Sequence, residues 1–537
     1  MATAATLLAE RLYEAGCRHA FGIPGGEVLT VMHGLIDAGI RFELCKHENA
    51  GGFMAEGTYH MTGAPGILVA TLGPGVANAV NVIANAQQDR VPLIFLTGCV
   101  DPAEAATYTH QVFDHTALLG SITKASLTLA DGAVDVIADK ALALALDGQP
   151  GPVHIDVPIS LAAAEQSGNA RTRRPRPAPS APAPGPNLDR ARAAFAAAER
   201  PLMIAGVDVL NHGAEAAVAD FCRDYAVPLI TTYKAKGILA EDDPLAIGGA
   251  GLSPLADGHL LGLVEQSDCI LLAGYDPIEM RTGWRNPWSD ETPTIEFSAT
   301  HNSHYMHQAG ITFVCDVGAG LAALRGDIDR RDQPSWADRA PARVRGTIAD
   351  AFAADEDWGP AAIVDVTRQA MPRDTVATVD SGAHRILLSQ VWECYGARGL
   401  LQSTGLCTMG CALPLATGAK LAAPDRPVVA FTGDAGLEMV LGELATLRDL
   451  SLNVVIIVFV DRSLALIEKK QREAGFANAA VGFGGTDWAA VAKAMGGAGA
   501  LVDNRADLSQ EIDLALERES FTLIGCEIGD NAYDGRI

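Results

Sequence analysis

The residues whose spacing carries most chemistry lie around position 434. In PVVAFTGDAG (427–436) an apolar run stops at Gly433 and Gly436, which flank one carboxylate, Asp434, and the LEMVLGELATLRDL that follows is apolar at helical spacing. A strand ending in glycines at the start of a helix presents free backbone amides and the positive end of a helix dipole, where phosphate binds. A bare carboxylate repels phosphate, so Asp434 makes sense where a hard divalent cation bridges the two. The next apolar run, NVVIIVFV, ends at Asp461, with Ser463 two residues on, and brings a second oxygen ligand to the neighbouring edge. Gly-Asp alone reads more often as a simple turn; with a second strand-end acid following, a Mg²⁺ site reads equally well.

Such edges need parallel sheets. GILVATLG (66–73) and VPLIFLTG (91–98) alternate with helical stretches such as NAGGFMAEGTYHMTG (49–63), a βαβ rhythm that predicts a parallel sheet covered on both faces. The rhythm resumes in RPLMIAGVDVL, VPLITTY, DCILLAGYDP and PTIEFSA, and again in TVATVDSG, PVVAFTGD, NVVIIVFVD and FTLIGCEIG. Two interruptions separate these blocks. RTRRPRPAPSAPAPGPN (171–187) is too rich in proline for helix or sheet and predicts an extended spacer. RGDIDRRDQPSWADRAPARVRG is a charged second linker. The expected fold is α/β with three doubly wound parallel-sheet domains: N-terminal at 1–165, central at 188–328 and C-terminal at 355–537, joined by linkers at 166–187 and 329–354. The first and third blocks read as similar folds at low identity.

A chain of 537 residues is too long for one core and suits several domains. Its 40 basic and 65 acidic residues leave a net charge of −25, which repels nucleic acid and anionic membrane. A phosphate-bearing ligand then needs a metal or a local nest of amides. The 10 cysteines are scattered, with no C-x-x-C, which suggests buried thiols in a reducing compartment. MATAATLLAERLYEAG has amphipathic helical spacing and carries Glu10 and Arg11, unlike the apolar core of a signal peptide. No run reaches the ~18 apolar residues of a membrane span. These features predict a cytoplasmic enzyme or binding protein acting on small molecules.

With these residues in view, the chain resembles a family. Gly-Asp-Gly followed one strand later by Asn is the signature of thiamine-diphosphate enzymes, and GDAG…VFVDRS is similar to it, with Ala435 for the third glycine and Asp461 for the asparagine. The resemblance implies that Asp434, the Asp461 side chain and the Ser463 carbonyl bind Mg²⁺, which holds the diphosphate of thiamine diphosphate, with Gly433, Ala435 and Gly436 forming the loop. It also implies a glutamate after an early strand, and FELCKHENAGGFMAEG offers Glu48 in that place. Its buried carboxyl would hydrogen-bond the aminopyrimidine and favour the imino tautomer that removes the thiazolium C2 proton. Without the resemblance, an acid at a helix start reads as a surface residue satisfying the dipole.

FGIPGGEV, TLGPGVANAVN, GQPGPVHIDVPIS, STGLCTMGCALPLATGAKLA and GDAGLEMVLGELATL follow the order and spacing of the acetolactate synthase branch over nearly the whole chain. The resemblance places Pro24, Gly73 and Asn78 beside the cofactor and makes Gly382, Ala383 and His384 of DSGAHR a diphosphate loop. It makes Met409 of GLCTMG, with Cys407, the prop that bends the cofactor; alone, Met409 reads as core filler. HQVFDH and SITKAS suggest Gln111 and Lys124 near the substrate, and GYDPIEMRTGW suggests Arg281, whose guanidinium suits the carboxylate of a 2-oxo acid. The two cations suit surface salt bridges equally.

The first block has no adjacent His-His pair, which disfavours a pyruvate decarboxylase pattern, and His301, His304 and His307 lack Cys or carboxylate partners at zinc spacing. IEFSATHNSH replaces an aspartate-rich turn of the family, and the segment after Asp461 lacks its glycine and Trp-Gln features. These departures fall where specificity and flavin binding reside, so FAD in the central domain is left open. The resemblance implies a homodimer or homotetramer with sites at the subunit interface. It implies decarboxylation of a 2-oxo acid with transfer of the acyl-anion equivalent to an acceptor carbonyl. The alternatives are a non-ligating 2-oxo acid decarboxylase, a lyase of 2-hydroxyacyl or sulfonated substrates, and a non-catalytic cofactor-binding protein.

Overall fold

The computed structural model describes residues 2–166, 177–331 and 333–537. Three six-stranded sheets account for its strands, and every strand pairing is parallel. The first holds β1 (His19–Ile23), β2 (Arg41–Leu44), β3 (Gly66–Ala70), β4 (Leu93–Cys99), β5 (Ala125–Thr128) and β6 (Pro152–Pro158). The second holds β7 (Pro201–Ala205), β8 (Leu229–Thr232), β9 (Ala246–Ala250), β10 (Cys269–Ala273), β11 (Thr294–Ser298) and β12 (Ile311–Val314). The third holds β13 (Val376–Val379), β14 (Leu400–Gln402), β15 (Val428–Gly433), β16 (Val455–Val460), β17 (Ala498–Val502) and β18 (Thr522–Glu527). Central strands such as β3, β7, β10 and β16 are buried at every residue, as continuous apolar runs between two helical layers must be.

The first and third sheets share one topology. Their orders are β2-β1-β3-β4-β6-β5 and β14-β13-β15-β16-β18-β17, the same permutation. In an open parallel sheet the ligand crevice lies beyond the strand ends where the winding direction reverses. That point falls between β1 and β3 in the first sheet and between β13 and β15 in the third. The second sheet, β12-β11-β10-β7-β8-β9, reverses between β7 and β10.

The two outer domains touch backbone to backbone. A methyl on Gly57, in the Glu48–Thr62 helix, would stand 2.4 Å from the Leu415 carbonyl oxygen, and one on Gly418, in the Ala412–Ala422 helix, 1.9 Å from that of Met54. Only glycine permits this approach. Gly418→Ala is therefore expected to force the helices apart and destabilise the protein by about 2 kcal/mol or more, read as an earlier urea transition.

Of the linker 166–187, residues 167–176 lie outside the described residues; near its end Pro186 opens the Pro186–Ala197 helix at a position where its missing N–H is no loss. The charged segment 329–354 carries a helix, Ala340–Ala351, with Ala340, Ile348 and Phe352 buried on the central domain. Its charges mask an apolar spacing of about one residue per turn. LEMVLGELATLRDL likewise forms two short helices, Asp434–Met439 and Glu443–Asp449, broken around Gly442. The 10 cysteines are free, and no helix among the described residues is long and apolar enough to cross a membrane.

Candidate active site

Asp434 begins its helix directly after β15, and its carboxylate is held from two strands. Oδ1 accepts from the Ala435 amide at 2.8 Å, and Oδ2 accepts from the Arg462 amide, just past β16, at 2.8 Å. Ala435 lies in the first helical turn, where φ is negative, so its methyl is accommodated. Asp461 Oδ1 accepts from the Ser463 amide at 3.0 Å. Burial and then the charge of Asp434 push the Asp461 carboxyl up to about 7, and burial also raises Asp434. Phe483 N donates to Arg462 O and Leu464 N to Val481 O, which leaves the Ser463 carbonyl outside both bonds. Two mutually repelling carboxylates beside a carbonyl are the donor set a hard divalent cation relieves.

Across the switch point, Asp380 directly follows β13 and leads to Gly382, the residue before the Ala383–Val391 helix. His384 is buried with its ring stacked on Phe459 at 5.3 Å, and it lies 3.3 Å from where a methyl on Gly433 would stand. Burial, then the Arg385 charge, pull the imidazole down to about 3, so it is neutral. Its Nε2 and the Ser381 hydroxyl have no protein partner. Unpaired buried polar atoms cost about 1–3 kcal/mol each, and a bound diphosphate group in this cradle would satisfy them. The residues present fit thiamine diphosphate.

The loop 403–410 is tied to the same edge. Asp380 accepts from the Gly410 and Cys411 amides at 2.9 and 3.0 Å, and a methyl on Gly436 would meet its carboxylate at 1.9 Å. Arg385 fixes the other end through the Ser403 carbonyl (2.8 Å) and Cys407 Sγ (3.3 Å), and pairs with Glu279 of the central domain at 2.6 Å. Cys407 and Met409 are thereby held at the mouth of a cleft of 650 Å³ between the outer domains, which Lys46, Asn49, Met439 and Glu443 also line.

In the N-terminal domain, Glu48 opens its helix and is 5% exposed. Oε2 accepts from Asn78 Nδ2 at 3.0 Å, and Oε1 lies 3.3 Å from where a methyl on Gly75 would stand. Gly73 adopts φ +70°, and a methyl there would strike the Gln111 carbonyl at 2.5 Å. Pro24 follows β1 at the same edge, where the next residue, Gly25, packs on Thr71. Glu48, Asn78, Gly73, Gln111 and Pro24 thus gather beyond β1 and β3, while Gly382, Ala383, His384, Gly433, Asp434, Ala435, Gly436, Asp461 and Ser463 gather beyond β13, β15 and β16.

Two residues do not join them. Lys124 precedes β5, at the opposite edge of its sheet, where Nζ donates to the Asp147 and Gln149 carbonyls at 2.6 and 2.8 Å. Arg281 is exposed and bonded to the Leu252 carbonyl at 3.1 Å, though only two residues from Glu279. Sequence reasoning missed Asp380, a third strand-end acid of the same type as Asp434 and Asp461. It also missed Glu443, whose Oε1 accepts from the Lys46 and His47 amides at 2.9 and 3.1 Å and so fixes the backbone entering Glu48. Nothing in its apolar surroundings signals that bond.

The central domain does not fit FAD. At its switch point Gly206 N donates to Ala273 O and Asp208 N to Gly274 O, and a methyl on Gly206 would stand 2.8 Å from the Tyr275 Cα. The crevice is closed by backbone and holds Asp208 and Asp276, the latter paired with Arg90 at 2.7 Å. Burial, then Asp276, push the Asp208 carboxyl up to about 7. With its folded pKa above the ordinary 3.8, Asp208 binds its proton more tightly when folded, and its stability contribution is lost as pH rises from about 4 to about 7. At ~1.4 kcal/mol per unit, Asp208→Asn is expected to gain on the parent across that window by up to ~4 kcal/mol, with urea transitions converging at pH 4 and diverging at pH 8. His307 of the histidine group is likewise internal, bonded to Glu296 at 2.9 Å.

The chain belongs to the thiamine pyrophosphate enzyme family. Residues 2–118 match its N-terminal TPP binding domain, 188–324 its central domain and 380–526 its C-terminal TPP binding domain. Within it the chain is acetolactate synthase-like. It is 29% identical to the acetolactate synthase of Bacillus subtilis over 97% of this chain and 92% of that one. It is 28% identical to the acetolactate synthase isozyme 1 large subunit of Escherichia coli (87% and 83% covered) and 30% to a probable 2-ketoarginine decarboxylase of Pseudomonas aeruginosa (83% and 79% covered). The protein is a thiamine-diphosphate-dependent enzyme of C–C bond chemistry.

Proposed function

We propose that this enzyme decarboxylates a 2-oxo acid and transfers the resulting acyl-anion equivalent to an acceptor carbonyl. The observation that carries the reading is the presence in one chain of the Asp434–Asp461 ledge, with its neighbouring unpaired His384 Nε2, and of the buried Glu48 at the other cradle. Asp434, Asp461 and the Ser463 carbonyl would hold Mg²⁺, and the start of the Ala383–Val391 helix with the Gly433–Gly436 loop would take the diphosphate. Met409 and Cys407 support the cofactor from the 403–410 loop. When bound, thiamine diphosphate supplies a carbanion and an electron sink. Glu48 would hold a proton at the aminopyrimidine, Asn78 orients the Glu48 carboxylate, and Gln111 would offer its amide to the substrate.

As the resemblance to the family implies, Glu48 of one subunit would meet the cradle of another in a homodimer or a dimer of dimers. Leu44 and Met439, 50% and 65% exposed near the two halves of the site, suit that second copy. The likeness to a probable 2-ketoarginine decarboxylase supports a second reading, simple decarboxylation, in which the carbanion is protonated. Incubation with a panel of 2-oxo acids and identification of products separates them. Acetolactate or another 2-hydroxy-2-acyl acid is expected; aldehyde and CO₂ alone would leave only the second reading.

A further inference from the structure

A buried lysine sits where the three domains meet, and no step of the proposed reaction uses it. Lys234 lies in the one-turn helix Tyr233–Ala235 directly after β8 of the central domain and is 8% exposed. Its Nζ donates to the Gln402 carbonyl, at the end of β14 in the C-terminal domain, at 2.9 Å. It pairs with Asp89 Oδ2 of the N-terminal domain at 2.8 Å and lies 3.7 Å from Glu56 Oε1 in the Glu48–Thr62 helix. Burial works against the ammonium, but Asp89 and then Glu56 hold its pKa above the ordinary value, so it stays charged. Burial pushes the Glu56 carboxyl up against the pull of Lys234, and the closer Asp89 is the counter-charge.

Asp89 follows the Pro74–Gln88 helix and turns the rest of its carboxylate to the loop that carries Cys407 and Met409. Oδ1 accepts from the Gly405 amide at 2.6 Å and from the Thr404 hydroxyl at 2.9 Å, and Oδ2, which faces Lys234, accepts from the Thr404 amide at 3.0 Å. Beside it, Asn85 accepts from the Ser403 hydroxyl at 2.6 Å, and Ser403 accepts in turn from the Thr408 amide at 2.9 Å. The loop lies close on this helix end, because a methyl on Gly405 would stand 2.6 Å from the Gln88 Cβ. Bonds from backbone amides to a carboxylate are stronger than those to a neutral acceptor, and Lys234 supplies the cation that a carboxylate buried at this depth needs. The 403–410 loop is thus moored to its own domain at Asp380 and Arg385, and to the N-terminal domain at Asn85 and Asp89.

We propose that Asp89 and Lys234 are positioning residues for the reaction: together they fix the 403–410 loop so that Met409 and Cys407 meet the cofactor in its bent conformation. The inference rests on the reading of that loop as the cofactor's support. Both residues act through the Thr404 and Gly405 amides. A displacement of about 1 Å far from the reacting atoms can cost about 100-fold in rate, and three bonds to one carboxylate leave the loop less freedom than that. The central domain, whose crevice is closed to a flavin, thereby contributes one cation to the frame of the site.

Three variants of the full-length Mg²⁺–thiamine diphosphate enzyme separate this role from stability. In Asp89→Asn, Glu56 is near enough to take over as counter-charge of Lys234, while the loop loses its carboxylate. Lys234→Met removes the cation, and Gly405→Ala lifts the loop from the helix end with every charge in place. Hydrogen–deuterium exchange at C2 of the bound cofactor, which needs no substrate, is expected to slow about 10-fold or more in each. The kcat on the best 2-oxo acid is expected to fall in parallel, with KM and calorimetric cofactor affinity within a few-fold of the parent. Exchange per bound cofactor does not depend on how much of the protein is folded, so a loss of stability alone leaves it unmoved. Parent-like exchange in Asp89→Asn and Gly405→Ala would overturn the proposal, whatever their stability; if Asp89→Asn does not fold, Gly405→Ala decides. A parent that binds cofactor and exchanges C2 yet consumes no 2-oxo acid sinks the functional reading instead, and the exchange comparison still decides the role of the pair.

Discussion

Asp434→Ala is expected to lower Mg²⁺-dependent retention of thiamine diphosphate about 100-fold or more, the upper range seen when even the supporting partners of a metal site are removed. Asp434 receives amides from its own helix and from the end of β16, so it joins the two strand edges that the cation spans. Its loss takes away one carboxylate ligand and unfixes the backbone leading to Ser463. In the apoprotein the relief of a desolvated charge, already raised by burial, offsets the loss of the acceptor for the Ala435 and Arg462 amides. The melting temperature without cofactor is expected to stay close to the parent's, and the rise on adding Mg²⁺ and cofactor to disappear. Undiminished calorimetric binding would remove Asp434 from the metal site.

Glu48→Gln is expected to act on rate rather than on binding. The side chain is buried and bonded to Asn78, and an amide of the same shape can fill the place without supplying a proton. General acid–base groups contribute about 10²–10⁴-fold, so kcat should fall by that order while cofactor affinity stays within a few-fold. Hydrogen–deuterium exchange at C2 of the bound cofactor should slow in parallel. Unchanged exchange would mean that Glu48 has no part in forming the carbanion.

The strands were legible because parallel strands buried on both faces must be unbroken apolar runs, and β3, β7, β10 and β16 are such runs. Their ends were legible for the same reason: a charge such as Asp434 or Asp461 directly after a buried run marks an edge. Periodicity does not show which edge a residue reaches when a long loop intervenes. Lys124 was placed with the substrate by likeness, yet the loop 100–122 carries the chain back across the sheet, and the lysine caps carbonyls at the far edge. Glu443 was illegible because its partners, Lys46 and His47, lie in another domain. The Lys234–Asp89 pair was illegible for the same reason.

The central claim is that Asp434, Asp461 and Ser463 carry thiamine diphosphate through a divalent cation. Calorimetric titration of the parent protein with thiamine diphosphate, once with Mg²⁺ and once with a chelator, tests it most directly. Saturable binding of one cofactor per chain that collapses in the chelator is predicted; equal binding in both, or none with Mg²⁺, would contradict it.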